Sequence, residues 1–122
     1  MKFIKDRTIL EQVLELPKAE IEKWETLIGQ DRVDYSDMGF PELSTVWWKT
    51  VRFPDGFEID LKVCTDTSED GDLWSEAVLF DERGQQYAMT EVSYGIEGEW
   101  ELEWFDHTTK TMHQYRVIVK KI

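Results

Sequence analysis

The N-terminal part of the chain carries apolar residues at helical spacing. Thr8 and Glu11 stand three residues apart, which is the arrangement of a capping box at the start of a helix. The apolar residues beside and after this signal are Ile9, Leu10, Val13 and Leu14. Because they recur at the intervals of one helix face, the pattern predicts a first helix that ends at Pro17.

A second helix is predicted directly after the first. Pro17 can serve as its first residue, where the missing N–H costs nothing. The apolar stripe of this helix consists of Ile21, Trp24, Leu27 and Ile28, and we interpret it as core. Gly29 stands where a helix-terminating glycine is expected. Residues 1–29 are therefore predicted to be helical, and residues 30–43, which lack periodicity, to form a loop.

From Ser44 onward apolar and polar residues alternate, and turn signals recur at the intervals of an antiparallel meander. The first hairpin turns at residues 54–56. Its expected pairs are Phe53 with Phe57, Val51 with Ile59, Lys49 with Leu61, Trp47 with Val63, Arg52 with Glu58, and Trp48 with Lys62. This register collects nearly all the apolar side chains of the hairpin on one face.

Two more hairpins follow. Residues 73–80 and 85–92 flank a predicted turn, and residues 99–106 and 111–121 flank another. For the last hairpin, an even-numbered loop is needed to bring the apolar faces of both strands to the same side. The resulting pairs are Leu102 with Tyr115, Glu101 with Arg116, and Trp104 with His113.

These elements predict an α+β fold in which two N-terminal helices pack on a roughly six-stranded antiparallel meander spanning residues 44–121. The chain has 122 residues, of which 41% are hydrophobic. This is enough to bury one core, so we expect a single domain over residues 1–122. Cys64 is the only cysteine, which excludes an internal disulfide and fits a reducing compartment.

The segment GEWELEWFDH, residues 98–107, places three glutamates in alternation with large apolar residues. On a strand, Trp100, Leu102 and Trp104 would face the core, while Glu99, Glu101 and Glu103 would face solvent. Alternate residues on a strand are about 6.8 Å apart, so the glutamates would form a fixed row of negative charges. Arg116 and Lys120 on the neighbouring strand can offset only part of it.

The net charge of −12 is concentrated in one third of the chain. Residues 66–106 contain thirteen acids and one base, Arg83, whereas the remainder holds thirteen acids and thirteen bases. A folded domain with this distribution is expected to present a polarised electrostatic face. Such a face disfavours direct binding to nucleic acid, because it repels phosphates.

One hypothesis is a non-enzymatic acidic protein that occupies a basic, nucleic-acid-binding surface of a partner protein, in the manner of a DNA mimic. In size and charge the chain resembles the small inhibitors that phages and mobile elements direct against restriction and CRISPR nucleases, a resemblance of composition that involves no motif. The predicted partner-binding residues are Glu99, Glu101, Glu103, Asp66, Glu69, Asp70, Asp72, Asp81, Glu82 and Trp48.

Trp48 has two interpretations. Trp47 and Trp48 are neighbours on one strand and must point to opposite sides. Trp48 is then either covered by the helices or exposed as an aromatic anchor of a protein interface. A different hypothesis is a small β-rich domain that binds an apolar or aromatic ligand between helices and sheet. The residues expected to line that pocket are Trp47, Trp48, Tyr87 and Met89.

Catalytic and metal motifs are weak. Residues 66–71 match part of a calcium-binding EF-hand loop, but its twelfth position is Ala77, where a bidentate glutamate is required. His107 and His113 flank the last turn without a nucleophile or further ligands that can be placed. We therefore expect no enzyme activity, no metal and no cofactor. No apolar segment approaches the length of a signal peptide core or a membrane span, so a soluble cytoplasmic protein is expected.

Overall fold

The computed structural model describes residues 6–28, 45–65, 73–92 and 95–122. These residues form one helix and two β-sheets. In chain order the elements are β1 (Asp6–Leu16), α1 (Lys18–Leu27), β2 (Thr45–Arg52), β3 (Glu58–Thr65), β4 (Leu73–Phe80), β5 (Gln86–Val92), β6 (Gly98–Asp106) and β7 (Thr111–Lys121). One sheet has the strand order β1-β7-β6 and the other β2-β3-β4-β5. The expected fold of two helices on a six-stranded meander is therefore wrong, because the protein is mostly β.

The predicted first helix is strand β1. It pairs in parallel with β7, with Leu10 opposite Tyr115 and Leu14 opposite Val119. The apolar stripe expected on one helix face is divided between two faces, since Ile9 and Val13 are 53% and 50% exposed whereas Leu10 and Leu14 pack on the core. A segment this short fits both periods, and pairing with β7 decides between them.

The predicted second helix is confirmed as α1. It begins at Lys18, one residue after Pro17, which occupies the N-cap position. Ile21 and Trp24 are buried, as the apolar stripe requires. The Ile28 N–H donates a 2.9 Å hydrogen bond to Trp24 O at the end of the helix. Gly29 and the predicted loop at 30–43 lie outside the described residues.

The four-stranded sheet is an antiparallel meander, as expected for this part of the chain. The predicted register of the first hairpin is confirmed, with Val51 opposite Ile59 and Trp48 opposite Lys62. The second hairpin is also confirmed, and a bulge near Phe80 shifts its register close to the turn. The six-stranded meander fails at the next step, because β6 leaves this sheet and pairs with β7.

The β6–β7 hairpin has the predicted register, with Leu102 opposite Tyr115 and Glu101 opposite Arg116. Its apolar face packs against the four-stranded sheet, and α1 contributes to the same core. Within this core the Phe53 and Tyr115 rings meet edge to face, with centroids 5.1 Å apart. Within the described part of the chain, no helix has the length and apolar character to cross a membrane.

Candidate functional site

The alternation in β6 is confirmed. Trp100 and Leu102 are each 3% exposed, and Trp104 is half-buried against the core. Glu99, Glu101 and Glu103 are exposed. Because the apolar side chains anchor the strand, the glutamates are carried on a rigid backbone with fixed spacing.

Arg116 of β7 lies between two glutamates that come from different strands. Its Nη2 is 2.6 Å from Glu101 Oε1, and its Nη1 donates a 3.2 Å hydrogen bond to Glu11 Oε2. The hydrogen bond with Glu101, and then that with Glu11, raises the pKa of the Arg116 guanidinium above its usual value. The arginine thus offsets charge at the middle of the glutamate row.

The structure adds two glutamates to this row that sequence reasoning missed. Glu11 and Glu15 alternate on β1, opposite Arg116 and Lys120 of β7, and both are exposed. We call the surface formed by Glu11, Glu15, Glu99, Glu101 and Glu103 the acidic face. Arg116 pairs with Glu11 and Glu101, and Lys120 lies opposite Glu15 in the register of β1 and β7. The assignment of β1 as a helix hid this relationship. The spacing of Glu11, Val13 and Glu15 at every second residue was a signal for it, because such residues share one face of a strand.

Trp48 is 62% exposed. It lies on the outer face of the four-stranded sheet, opposite Lys62 of β3. The helix does not cover it, so of the two interpretations the structure supports the exposed one. Trp48 and the acidic face are on the outer faces of different sheets, and one flat partner surface would not reach both.

Asp81 and Glu82 lie in the turn between β4 and β5. Asp81 Oδ1 accepts hydrogen bonds from the backbone N–H groups of Gln85 (2.9 Å) and Arg83 (2.8 Å). The bond from Gln85 is the main cause of a lowered pKa for the Asp81 carboxyl. Asp81 therefore shapes the turn while it contributes a permanent charge. The other predicted partner-binding acids, Asp66, Glu69, Asp70 and Asp72, lie outside the described residues.

The four residues expected to line an apolar pocket do not come together. Trp47 is buried, and its Nε1 donates a 2.7 Å hydrogen bond to Glu20 Oε1 of α1. Trp48 points to the opposite side of the same strand, and Met89 is 54% exposed. Tyr87 borders a cavity with other partners.

That cavity is a recess of about 300 Å³ at the end of the molecule where the β2–β3 and β4–β5 turns meet. Three aromatic residues form its wall: Phe57, Tyr87 and Trp104. We call this site the aromatic recess. Its charged lining consists of Asp55, Asp81, Glu82 and Arg83. Sequence reasoning missed it, because its aromatic residues come from three distant parts of the chain.

The two turns approach closely at Gly56. This residue has a φ of +95°, which glycine adopts without strain, and a Cβ there would stand 3.2 Å from Glu82 Oε2. The glycine thus lets the Glu82 side chain lie against the β2–β3 turn. The carboxylates of both turns thereby line the same recess.

The two histidines have structural neighbours. His113 stacks on Trp104 with a centroid distance of 4.7 Å, and its Nδ1 is 2.9 Å from Thr8 Oγ1. His107 meets Phe105 edge to face. Across the described ranges, no three His, Cys, Asp or Glu side chains are grouped as metal ligands.

No protein-family model, curated protein or solved structure matches the chain.

Proposed function

We propose that this chain is a non-enzymatic acidic protein that occupies a basic, nucleic-acid-binding surface of a partner protein. The observation that carries the proposal is the acidic face, where five exposed glutamates lie on β1 and β6, the two strands that flank β7. The partner would be recognised by lysine and arginine side chains that otherwise bind phosphates.

The geometry of the face supports this function. Alternate residues on β6 are about 6.8 Å apart, which is comparable to the spacing of successive phosphates along one nucleic-acid strand. The row is held by Trp100 and Leu102, which are buried beneath it. A surface that is already ordered loses little conformational entropy on binding. Its charge would also accelerate encounter with a basic partner.

The acidic face also offers apolar contacts. Ile9 and Val13, which alternate with Glu11 on β1, are about half exposed. Exposed apolar side chains among carboxylates suit a protein surface, where they can be buried on contact. This mixture favours a folded protein partner over simple attraction of counterions.

The test compares two triple variants with the same change in net charge. Glu99→Gln, Glu101→Gln and Glu103→Gln remove the β6 row. Glu22→Gln, Glu58→Gln and Glu76→Gln remove three glutamates from α1 and the four-stranded sheet. Host proteins are captured on each immobilised variant at low and high ionic strength, and the captured proteins are then challenged with duplex DNA.

We expect the wild type and the control variant to capture a nucleic-acid-binding protein, and the β6 variant to fail to capture it. High salt or added DNA should release the captured protein. Screening of exposed charges beyond about 10 Å at 0.1 M salt accounts for the salt effect. Equal capture by both triple variants would remove the acidic face from the mechanism. Retention that is indifferent to salt and DNA would exclude phosphate mimicry.

A further inference from the structure

The aromatic residues that line the aromatic recess pack against one another at steep angles. The Tyr87 and Trp104 rings lie 4.7 Å apart at 73°, and the Phe57 and Tyr87 rings lie 5.2 Å apart at 63°. These rings come from both sheets, so the recess sits at the junction between them. The faces of aromatic rings carry negative electrostatic potential and attract cations within about 6 Å.

The carboxylates of the recess are fixed in place by the fold. Asp55 Oδ2 accepts a 2.7 Å hydrogen bond from the Tyr115 hydroxyl, and its Oδ1 accepts one from the Phe57 N–H at 3.1 Å. Asp81 Oδ2 accepts a 3.3 Å hydrogen bond from the Tyr87 hydroxyl. Both oxygens of Asp55 and Oδ2 of Asp81 accept one of these bonds each, so the bonds orient the groups and leave acceptor capacity for a ligand.

The local charge is negative. Asp55, Asp81 and Glu82 face one base, Arg83, which leaves a net charge of −2 in the lining. A neighbouring groove of about 450 Å³ shares Asp81 and Glu82 and adds the carboxylates of Glu58 and Asp60. This arrangement repels anions and stabilises a cation that enters between the two turns.

We propose that the aromatic recess formed by Phe57, Tyr87 and Trp104, with the carboxylates of Asp55, Asp81 and Glu82, binds an organic cation of the guanidinium or alkylammonium class. The cation contacts the aromatic rings that line the recess, with Tyr87 the main one because His113 already covers one face of Trp104. The carboxylates accept its N–H groups or balance its charge. The site uses none of the residues of the acidic face, so the test of cation binding is independent of the test of the proposed function.

The dimensions of the site favour an organic cation over a metal ion. A volume of about 300 Å³ lies at the small end of ligand pockets, which span roughly 300–1,000 Å³. The carboxylates of the recess are not grouped as metal ligands, and its aromatic walls cannot supply the further oxygen ligands that a hard metal ion needs. An uncharged apolar ligand would cover the carboxylates without pairing them, which is unfavourable.

Arg83 is the natural competitor of such a ligand. It is exposed at the rim of the recess, and its charge acts on both Asp81 and Tyr87. Replacing Arg83 with glutamine removes this positive charge and leaves the backbone N–H that binds Asp81. The Arg83→Gln variant should therefore bind the cation more tightly than the wild type does.

The test is a titration followed by ¹H–¹⁵N NMR, in which the Trp104 indole and Tyr87 amide signals report on the recess. The probes are N-acetyl-arginine amide, tetramethylammonium and an arginine-containing peptide. Citrulline amide serves as the uncharged isostere of arginine. The variants are Tyr87→Leu, Tyr87→Phe and Arg83→Gln, with Trp48→Leu on the other surface as the control.

We expect saturable shifts with at least one cation and none with citrulline amide. Tyr87→Leu should weaken binding roughly five- to thirtyfold through loss of a ring face. Tyr87→Phe should retain most of the affinity, Arg83→Gln should increase it, and Trp48→Leu should leave it unchanged. A free cation that binds as well as the peptide would identify a small-molecule site, whereas preference for the peptide would identify capture of a protein side chain.

The proposal would be overturned by the absence of saturable shifts with every cation, or by equal binding of citrulline amide. It would also be overturned if Arg83→Gln weakened cation binding. This variant alters an exposed side chain in a turn and is expected to fold, so it decides the question even if Tyr87→Leu does not fold.

Discussion

The Tyr115 hydroxyl of β7 donates a 2.7 Å hydrogen bond to Asp55 Oδ2 in the turn between β2 and β3. This bond joins the two sheets at the end of the molecule that contains the aromatic recess. Tyr115 is 1% exposed, and its ring also contacts Phe53 and Phe57. One side chain therefore links the core of the three-stranded sheet to the first hairpin of the other.

Tyr115→Phe should lower the free energy of unfolding by about 1–3 kcal/mol, because its buried side chain donates this hydrogen bond to a carboxylate. Urea denaturation measures the loss. Tyr87→Phe is the matched control, since its hydroxyl makes a longer bond of 3.3 Å to Asp81 and is less buried. An equal or larger loss in Tyr87→Phe would contradict the role given to Tyr115.

Alkaline pH should destabilise the protein partly through the same tyrosine. Burial, together with the Asp55 carboxylate, raises the pKa of Tyr115 above its usual value. The folded state therefore keeps a proton that the unfolded state loses near pH 10. The contribution of this group is complete below about pH 10 and declines as the pH rises further. Denaturation at several alkaline pH values should show a shallower decline in Tyr115→Phe, and an unchanged slope would refute this.

Acid should also destabilise the protein, through two turn carboxylates. Hydrogen bonds lower the pKa of Asp81. At Asp106 burial opposes ionisation, but hydrogen bonds from the backbone N–H groups of Thr108 and Thr109 lower the pKa of the carboxyl. Their stabilising contribution is present above the usual carboxyl pKa near 4 and is lost as the pH falls through the lowered folded values. Thermal melting between neutral and acidic pH should show a smaller acid-induced loss in Asp81→Asn and Asp106→Asn than in the wild type.

Substitutions in β6 should follow its alternation. Leu102→Ala should cost about 2–5 kcal/mol, because Leu102 lies in the core and its truncation leaves a cavity. Glu99→Ala, on the exposed face three residues earlier, should change stability by no more than about 0.5 kcal/mol. Chemical denaturation of both variants checks the contrast. Similar losses at the two positions would mean that the strand is not anchored by one face.

Cys64 should be unreactive in the folded protein. Burial raises the pKa of its thiol to about 11, and Glu76, whose Oε1 accepts a 3.3 Å hydrogen bond from Sγ, adds to the increase. The thiolate is the reactive form, so labelling by a disulfide reagent at neutral pH should be slow until denaturant is added. Glu76→Gln should lower the thiol pKa, measured by thiolate absorbance, and a pKa that does not fall would contradict the role of Glu76.

Local sequence was sufficient for the hairpins. The turn at residues 54–56 and the alternation beside it determine which residues pair, and Val51 lies opposite Ile59 as predicted. The same reasoning placed Leu102 opposite Tyr115. In both cases the partners are close in sequence, and a shift by one residue would expose the apolar face, so the pattern allows a single register. The exposure of Glu99, Glu101 and Glu103 follows from it.

Strand β1 was decided by tertiary structure. Its apolar residues fit a helix and a strand equally, and its partner β7 lies near the other end of the chain. Contact with that distant strand supplies backbone hydrogen bonds and core packing that outweigh a weak local preference. The same contact brought Glu11 to Arg116, and the acidic face depends on it.

The aromatic recess also exists only in the folded molecule. Phe57, Tyr87 and Trp104 are far apart in the sequence and meet because the two sheets pack with their turns side by side. Periodicity assigns each residue to a face of its own strand, but it contains no information on which strands of different sheets face each other. Long-range packing supplies that information. Sequence alone therefore determined the hairpins and the row of glutamates on β6, whereas the tertiary structure determined the site between the sheets.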